Sequence, residues 1–424
     1  MIAQPPKYQG NPGDGILLIG KILKEISENV DFRQIMSEML EKYYHWDKFR
    51  RIPIPSNFSH EELWEYIRYS REITSQNIDF AGKKFSFNLH NVLLQNLHFI
   101  DLHFGGTLAG KIISQNKKEQ FLKSSLIEEA IASSQIEGAS TTRRVAKEMI
   151  EKNISPKSHD EKMIYNNHVA MKYILAHKNE KISEEKILEL HTILTNGVME
   201  NPADSGRYRI NNDIAVVDVL TGNTLHTPLD YKNITHAMDE LIQFFNEKGG
   251  KKFIHPVIVG IVIHFFIGWI HPFSDGNGRT ARSLFYWFLI QNDYWLTEYI
   301  SISRIIKRSK IQYKNAYLYT ESDNNNLTYF IDYNISCLIE GLSEFQVYIK
   351  KQQEKEKNFI PTLSERQNLM LRYLRHNTAM TVSEMANIFE ISKNMARIDL
   401  DELVQKDFLQ KTAINKKTFG YSLK

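Results

Sequence analysis

Apolar residues recur at helical spacing from Ile22 to Tyr43 and again, more briefly, from Glu61 to Arg71. The Pro-rich stretch Ile52-Pro-Ile-Pro-Ser separates the two runs. Residues 1–110 therefore predict a helical region with loops. From about 111 to 345 helix patterns repeat, and one of them runs through Leu122, Leu126, Ala130 and Ser133 toward Gly138, a residue suited to end it. This block has a single β-like interruption, Ile214-Ala-Val-Val-Asp-Val and Thr224-Leu-His-Thr-Pro on either side of Thr-Gly-Asn, which reads as a hairpin. Lys350–Lys357 is polar and highly charged and ends before Pro361, so residues 346–360 read as a linker or a solvated helix end. The last block, 361–424, shows helix patterns at Ser364–Arg375, Thr381–Phe389 and Ser392–Lys406, then β-prone runs at Leu409–Ile414 and Thr418–Leu423. Three helices and a hairpin outline a winged helix-turn-helix. The expected fold class is mainly α.

Length changes this picture little: 424 residues exceed what one core usually serves, so two or three domains are expected. The hydrophobic fraction of 42% and charged fraction of 24% are those of a soluble globular protein. A net charge of +3 gives no whole-chain argument for a nucleic-acid or membrane partner. Cys337, the single cysteine, excludes an internal disulfide and a cysteine-cluster metal site. The N-terminus lacks the pattern of a signal peptide, and the most apolar stretch, Val257–Ile270, is too short to span a bilayer. A cytoplasmic location without membrane contact is expected.

Candidate chemistry lies directly after that apolar stretch. Pro272 breaks the helix, and Gly276-Asn277-Gly278 is a poor helix interior. A helix pattern resumes at Arg279, with Leu284, Phe285, Phe288 and Leu289 on its apolar face. A glycine-containing loop thus opens into a helix N-terminus, whose N–H groups and dipole make an anion site. Arg279 and Arg282, three apart, are expected to lean to the same side. Two guanidinium groups beside an anion site suit a polyphosphate. Asp275 adds a hard oxygen of the kind that Mg²⁺ on nucleotide phosphates takes. His271, at the start of the loop, can act as a general base near neutral pH.

Residues 271–282, His-Pro-Phe-Ser-Asp-Gly-Asn-Gly-Arg-Thr-Ala-Arg, resemble the Fic family motif, His-x-Phe-x-Asp/Glu-Gly-Asn-Gly-Arg-x-x-Arg, at every fixed position. The resemblance implies a Fic-type helical core with a β-hairpin flap. It also implies a protein adenylyltransferase, which moves AMP from ATP to a Ser, Thr or Tyr hydroxyl of a protein and releases pyrophosphate. His271 would then deprotonate the target hydroxyl, and Phe273 would anchor the loop in the core. Asp275 would hold Mg²⁺, and Gly276, Asn277 and Gly278 would cradle the α- and β-phosphates. Arg279 would bind the β-phosphate and Arg282 the γ-phosphate. A kinase-like branch of the family lacks the second glycine and the final arginine, and both Gly278 and Arg282 are present here.

Upstream, Ser133-Ser-Gln-Ile-Glu137-Gly138 resembles the family's inhibitory pattern, Ser/Thr-x-x-x-Glu-Gly/Asn. Ser133 and Glu137 share a helix face. The resemblance implies that a helix of about 121–138 docks beside the active site, where Glu137 would pair with Arg282 and deny that arginine to the γ-phosphate. The hairpin at 214–227 sits where the family carries its flap, with an edge open to strand addition by the target. Gly206-Arg-Tyr-Arg209 resembles the family's approach to that flap. Tyr313, with Tyr317 second, resembles the tyrosine that lines the adenine pocket.

Two other patterns are set aside. Gly15-Ile-Leu-Leu-Ile-Gly-Lys21 fits a Walker A spacing, but Ile22 replaces the Ser/Thr that would meet Mg²⁺. His255, His264 and His271 are too widely spaced for a compact zinc pattern, so His255 and His264 are expected to pack or cap.

In the last block, Met385, Ala386, Phe389, Ile391, Met395 and Ile398 are expected to form a small core, with Ser392 capping the second helix of the helix-turn-helix. Lys393, Asn394 and Arg397 would be exposed on that helix, and Lys416 and Lys417 on the wing, as phosphate contacts for DNA. Acidic neighbours dilute this charge, and winged helices also bind proteins. The same residues fit two other functions: a DNA-binding regulator that uses the Fic domain as a nucleotide sensor, and a hydrolase that removes AMP. Self-modification and a homodimer that stabilises the inhibited state fit as well.

Overall fold

The computed structural model describes residues 2–6, 12–54, 57–104, 115–218, 222–357, 362–374, 379–414 and 418–424. Two compact units divide the chain, Met1–Phe345 and Gln346–Lys424. Among the described residues the fold is mainly helical, with three small antiparallel sheets.

The N-terminal part is helical with loops, and two features refine that expectation. Ile22–Tyr43 is not one helix but two, α1 (Pro12–Glu28) and α2 (Val30–Glu41). The break falls at Asn29, whose side chain takes the Phe32 N–H at 3.1 Å and so serves as an N-cap. After α3 (Trp46–Phe49) and α4 (His60–Thr74), which opens on a Ser59/Glu62 capping box, comes a hairpin rather than a helix. Its strands, β1 (Gln76–Phe80) and β2 (Lys83–Phe87), bury Ile78, Phe80, Phe85 and Phe87 at alternate positions.

The helices that follow are α5 (Asn91–Phe104), α6 (Gln115–Ile136), α7 (Arg143–Glu151), α8 (His159–His177) and α9 (Glu184–Thr195). A short hairpin, β3 (Val216–Val217) and β4 (Thr224–His226), precedes α10 (Ile234–Asn246), α11 (Pro256–Ile270) and α12 (Asn277–Gln291). The residues at its turn, 219–221, lie outside the described residues. The first unit continues with α13 (Ile302–Arg308) and α14 (Lys310–Ser322), and α15 (Thr328–Lys357) begins in it and ends in the second. The expected linker is thus helical as far as Lys357.

α11 is the centre of this unit. Nearly all of its side chains are buried, which is why its sequence shows no polar face. The N-terminal hairpin packs on it directly: Phe80 stacks on Phe266 at 3.8 Å, and Phe85 meets Phe265, Phe266 and Trp269 edge-on. The N-terminal region also joins α15 through polar contacts. Arg71 Nη1 donates to Tyr329 Oη at 2.8 Å, and the Asn88 N–H donates to Thr328 Oγ1 at 3.0 Å. Burial of this kind makes the hairpin and α4 a support for the central helices.

The second unit contains α16 (Glu365–Leu374), β5 (Met380–Thr381), α17 (Val382–Ile388), α18 (Lys393–Gln405), β6 (Leu409–Ala413) and β7 (Phe419–Leu423), with strand order β5-β7-β6. Its core corrects the expectation. Met385 and Ala386 are buried and Phe389 and Ile391 pack partly against them, but Met395 and Ile398 are 43% and 52% exposed. α18 instead buries Ala396, Asp399, Leu400 and Leu403. Asp399 can be buried because the Arg366 guanidinium grips both of its oxygens. The wing lysines Lys416 and Lys417 lie outside the described residues.

Candidate active site around His271 and Arg282

α11 begins with Pro256, behind an N-cap from His255 Nδ1 to the Val257 N–H, and ends at His271. His271 takes left-handed backbone angles (φ 51°, ψ 60°), an uncommon conformation for a non-glycine residue that turns the chain sharply out of the helix. Its Nδ1 lies 3.2 Å from the Gly268 carbonyl, which fixes the proton on Nδ1 and leaves Nε2 as an acceptor. Burial, with the charges of His226 and Arg209 nearby, pushes its pKa below the ordinary histidine value. The ring is therefore neutral at pH 7 and able to take a proton.

The loop is held from inside. Phe273 is fully buried and stacks on His191 at 3.8 Å. Asn277 is 3% exposed, and its amide bridges the Phe273 backbone: Oδ1 accepts from the N–H at 2.9 Å and Nδ2 donates to the carbonyl at 2.8 Å. This side chain shapes the loop. Gly276 (φ 81°) starts α12 without a side-chain cap, and a Cβ there would stand 3.0 Å from Thr195 and 3.2 Å from His191. His191 Nε2 donates to the Asp275 carbonyl at 2.9 Å while Nδ1 accepts the Gly206 N–H at 3.0 Å. His191 was missed by sequence reasoning, since its partners lie far along the chain.

The two arginines do not lean the same way. Arg279 is wholly buried: Nη1 donates to the Leu194 carbonyl at 3.0 Å and Nη2 to Asp275 Oδ2 at 3.0 Å. Arg282 instead faces a cavity of about 260 Å³ that also touches His271, Gly278, Tyr313 and Tyr317. Positions three apart on a helix are separated by about 60°, and packing against α9 takes up that difference. Tyr313 Oη lies 2.8 Å from His264 Nε2, and His264, buried beside Arg282, has its pKa pushed down to about 3. His255 and His264 thus cap and pack respectively.

Ser133 and Glu137 both reach Arg282. Its Nε donates to Ser133 Oγ at 3.0 Å, and Nη2 donates to the Ser133 carbonyl at 3.0 Å and to Glu137 Oε1 at 2.8 Å. A Cβ on Gly278 would stand only 2.2 Å from Glu137 Oε1, so the glutamate carboxylate presses on the first turn of α12. A carboxylate of the protein itself thus lies against the first turn of this helix, bonded to Arg282. The helix that carries it is firmly seated. Glu129, 2% exposed on α6, accepts from Tyr286 Oη at 2.7 Å, Ser301 Oγ at 3.0 Å and the Ser303 N–H at 3.1 Å, as well as from the Ser303 hydroxyl. Glu137 lies beyond the end of α6 with its side chain 33% exposed, so it can swing without unseating the helix.

Arg209 ties the approach of the β3–β4 hairpin to the loop. Its N–H donates to the Pro272 carbonyl at 2.9 Å, its Nε to the His271 carbonyl at 2.8 Å, and Nη2 to the Leu229 carbonyl. The cavity, the exposed β3–β4 edge beside it and a neutral base at the junction can hold a nucleotide and present a second reactant to it.

These features define a helical domain with a buried, neutral histidine beside an uncapped helix start and a buried arginine. Residues 181–289 match the Fic/DOC family, and residues 366–413 match the DeoR-like helix-turn-helix domain. The chain carries a Fic domain followed by a helix-turn-helix domain. It is 34% identical over 128 residues to the protein adenylyltransferase Fic of Aedes aegypti, covering 30% of this chain and 23% of that protein. It is 31% identical over 118 residues to the corresponding protein of Nematostella vectensis, covering 27% and 25%. The matched region is thus about a quarter of the length of these relatives. Among solved structures, a Fic family protein from Desulfovibrio desulfuricans G20 shares the fold with a TM-score of 0.52 at 18% identity, covering 78% of this chain and 95% of that one. Fic-1 of C. elegans gives a TM-score of 0.50 at 15% identity, covering 81% and 90%.

Proposed function

We propose that the chain transfers AMP from ATP to a protein hydroxyl and that Glu137 holds this activity off. The observation that carries the reading is the convergence on one cavity of a neutral His271, the uncapped start of α12 and Arg282. In this reading the γ-phosphate takes the place of the Glu137 carboxylate on Arg282, and the β- and α-phosphates lie along the Gly276–Gly278 backbone. The target hydroxyl gives its proton to His271 Nε2 and its oxygen attacks the α-phosphorus. The bond from that phosphorus to the bridging oxygen breaks, and pyrophosphate leaves. Proximity and charge stabilisation supply most of the acceleration. Tyr313 and Tyr317 wall the side of the cavity where the adenine fits.

Asp275 is the carboxylate of the loop, 59% exposed, and fits one position of a Mg²⁺ held otherwise by phosphates and water. The metal would neutralise charge on the polyphosphate. Arg279 was expected on the β-phosphate; with its guanidinium on Leu194 and Asp275 it orients the carboxylate instead.

The test is the pair of wild-type protein and Glu137→Gly, incubated with labelled ATP, Mg²⁺ and a cell lysate. Removing the carboxylate frees Arg282, and AMP incorporation should rise about 10- to 100-fold, the factor for one charge-assisted contact on a polyphosphate. Equal incorporation by the two forms would refute the inhibitory role, and none by either would refute the reaction. A mass increase other than AMP would reassign it.

For the second unit we infer DNA as the partner of α18, supported by exposed Lys393, Asn394 and Arg397 on its outer face. Binding to duplex DNA should weaken as salt rises, because phosphate contacts release counterions; salt-independent binding would refute it.

A further inference from the structure

The flap formed by β3 and β4 is too short to hold its own alignment. Among the described residues its strands pair at Val216↔His226 and Val217↔Thr224, with a register shift between the two pairs. Toward the turn the Asp218 N–H donates to the Asn223 carbonyl at 2.9 Å and the Gly222 N–H to the Asp218 carbonyl at 2.7 Å. A ladder of this length does not specify register by itself, and a slip of one residue would turn every side chain to the opposite face. Something outside the ladder has to hold it.

His226 does so. Its Nδ1 lies 2.9 Å from Glu321 Oε1, and its Nε2 lies 2.8 Å from the Trp269 carbonyl oxygen. Both partners can only accept. A neutral imidazole carries one N–H, so two donated bonds require the imidazolium. Burial alone would push this histidine toward the neutral form; the Glu321 carboxylate, with the Trp269 carbonyl, outweighs it and raises the pKa. Besides His226 and Glu321, the charged or titratable groups on the cavity are His271, Arg282, Glu137, Lys314, Tyr313 and Tyr317, and burial pushes the pKa of both tyrosine hydroxyls up, so they stay neutral. Glu137 pairs with Arg282 and Lys314 with Asp218, which leaves Glu321 as the carboxylate on the ring.

The three elements joined by this ring are the ones the reaction has to align. Trp269 precedes His271 by two residues at the end of α11, and Glu321 lies in the last turn of α14. Lys314, two turns earlier on α14, holds Asp218 just past β3 at 2.8 Å. One helix therefore grips both sides of the flap, and Tyr313 and Tyr317 on the same helix line the cavity.

We propose that His226, held as an imidazolium between Glu321 and the Trp269 carbonyl, is a positioning residue that sets the register of the flap, and with it the target backbone, against His271. The proposal rests on the AMP-transfer reading above. It predicts a split between two nucleophiles. Water needs no flap to reach the α-phosphorus, whereas a protein hydroxyl does. In the Glu137→Gly background, His226→Gln should cut AMP incorporation into lysate protein about tenfold or more while AMP release from ATP in buffer changes less than about twofold. Glu321→Gln should act alike, and the double variant should be no worse than either alone. A parallel fall of both reactions, or no fall of incorporation, would overturn the proposal. A second measurement does not depend on activity: nitrogen NMR of the full chain with labelled histidine, with His226 assigned from the His226→Gln spectrum. Both ring nitrogens should carry protons at pH 7, and a single proton would overturn the proposal. If Glu137→Gly labels no lysate protein, the AMP-transfer reading fails and the ring measurement alone decides this one.

Discussion

Two helices begin where an anion is expected, and they begin differently. α12 starts at Gly276 with no side chain on its first N–H groups. α18 starts at Ser392, whose hydroxyl takes the Met395 N–H at 3.2 Å. The nearby cations differ in the same sense. Arg282 is held in part by Glu137, a residue past the end of its helix and partly exposed, whereas Arg366 is clamped on a buried Asp399 and Lys411 is paired with Asp401 at 2.8 Å. Near α18 the protein satisfies part of its own helix end and charge; at α12 it leaves the donors without a side-chain cap and sets the partly exposed Glu137 carboxylate beside them on Arg282. An uncapped start beside a displaceable counter-charge marks a phosphate site more strongly than the presence of arginine or lysine does.

The largest expected effect tests whether the open helix start serves chemistry or only binding. In the Glu137→Gly background, His271→Ala should lower AMP transfer about 10²- to 10⁴-fold, the usual worth of a positioned general base. ATP affinity by calorimetry should stay close to that of the parent, because the anion site is intact. Loss of both would mean that His271 shapes the loop rather than moves a proton. Retention of both would make the domain a nucleotide sensor.

A second difference between the units is their response to acid. His45, His191 and His264 are buried in the first unit with pKa values pushed down by burial to about 3, 4 and 3. The unfolded chain binds protons on them near pH 6.5 and the folded chain does not. Their contribution is therefore fully present above pH 6.5 and is lost as pH falls toward about 4. Each removes about 1.4 kcal/mol of stability per pH unit in that window, together roughly 4 kcal/mol. The one histidine of the second unit, His376, lies outside the described residues. Thermal unfolding followed from pH 7 to 5 should show the transition of the first unit falling steeply and that of the second moving little. Parallel shifts would remove the contrast.

What the sequence made legible was contiguous. Loop, helix start and both arginines lie within twelve residues, and each constrains the next through local backbone geometry. Contacts between distant residues were not legible. His226 needs Trp269 and Glu321, 43 and 95 residues away, before its second proton has a reason to exist. Arg279 was expected to lean to the same side as Arg282 because helical spacing alone ignores which neighbour is packed on which face; the Leu194 carbonyl and Asp275 take its guanidinium instead. The hairpin at Gln76–Phe87 was hidden because Ala81, at φ 48°, occupies a turn position that usually announces itself with Asn or Gly. Met395 and Ile398 were assigned to the core for a related reason. Asp399 looks too polar to bury, and only Arg366, 33 residues away, makes its burial tolerable.

The smallest effect isolates the cap itself. Ser392→Ala removes the hydroxyl that α18 places on its own Met395 N–H and should cost about 1 kcal/mol in stability of the second unit. Denaturant midpoints of the full chain, read by a probe placed in that unit, would measure it, and AMP transfer should not change. α12 offers no equivalent substitution, because Gly276 has no side chain to remove; the reverse change is available instead. Gly276→Ser would offer a cap, yet its Cβ would meet Thr195 and His191 in a backbone conformation unsuited to serine. If Ser392→Ala leaves stability unchanged while Gly276→Ser is tolerated, capping does not distinguish the two helix starts, and the contrast reduces to their counter-charges.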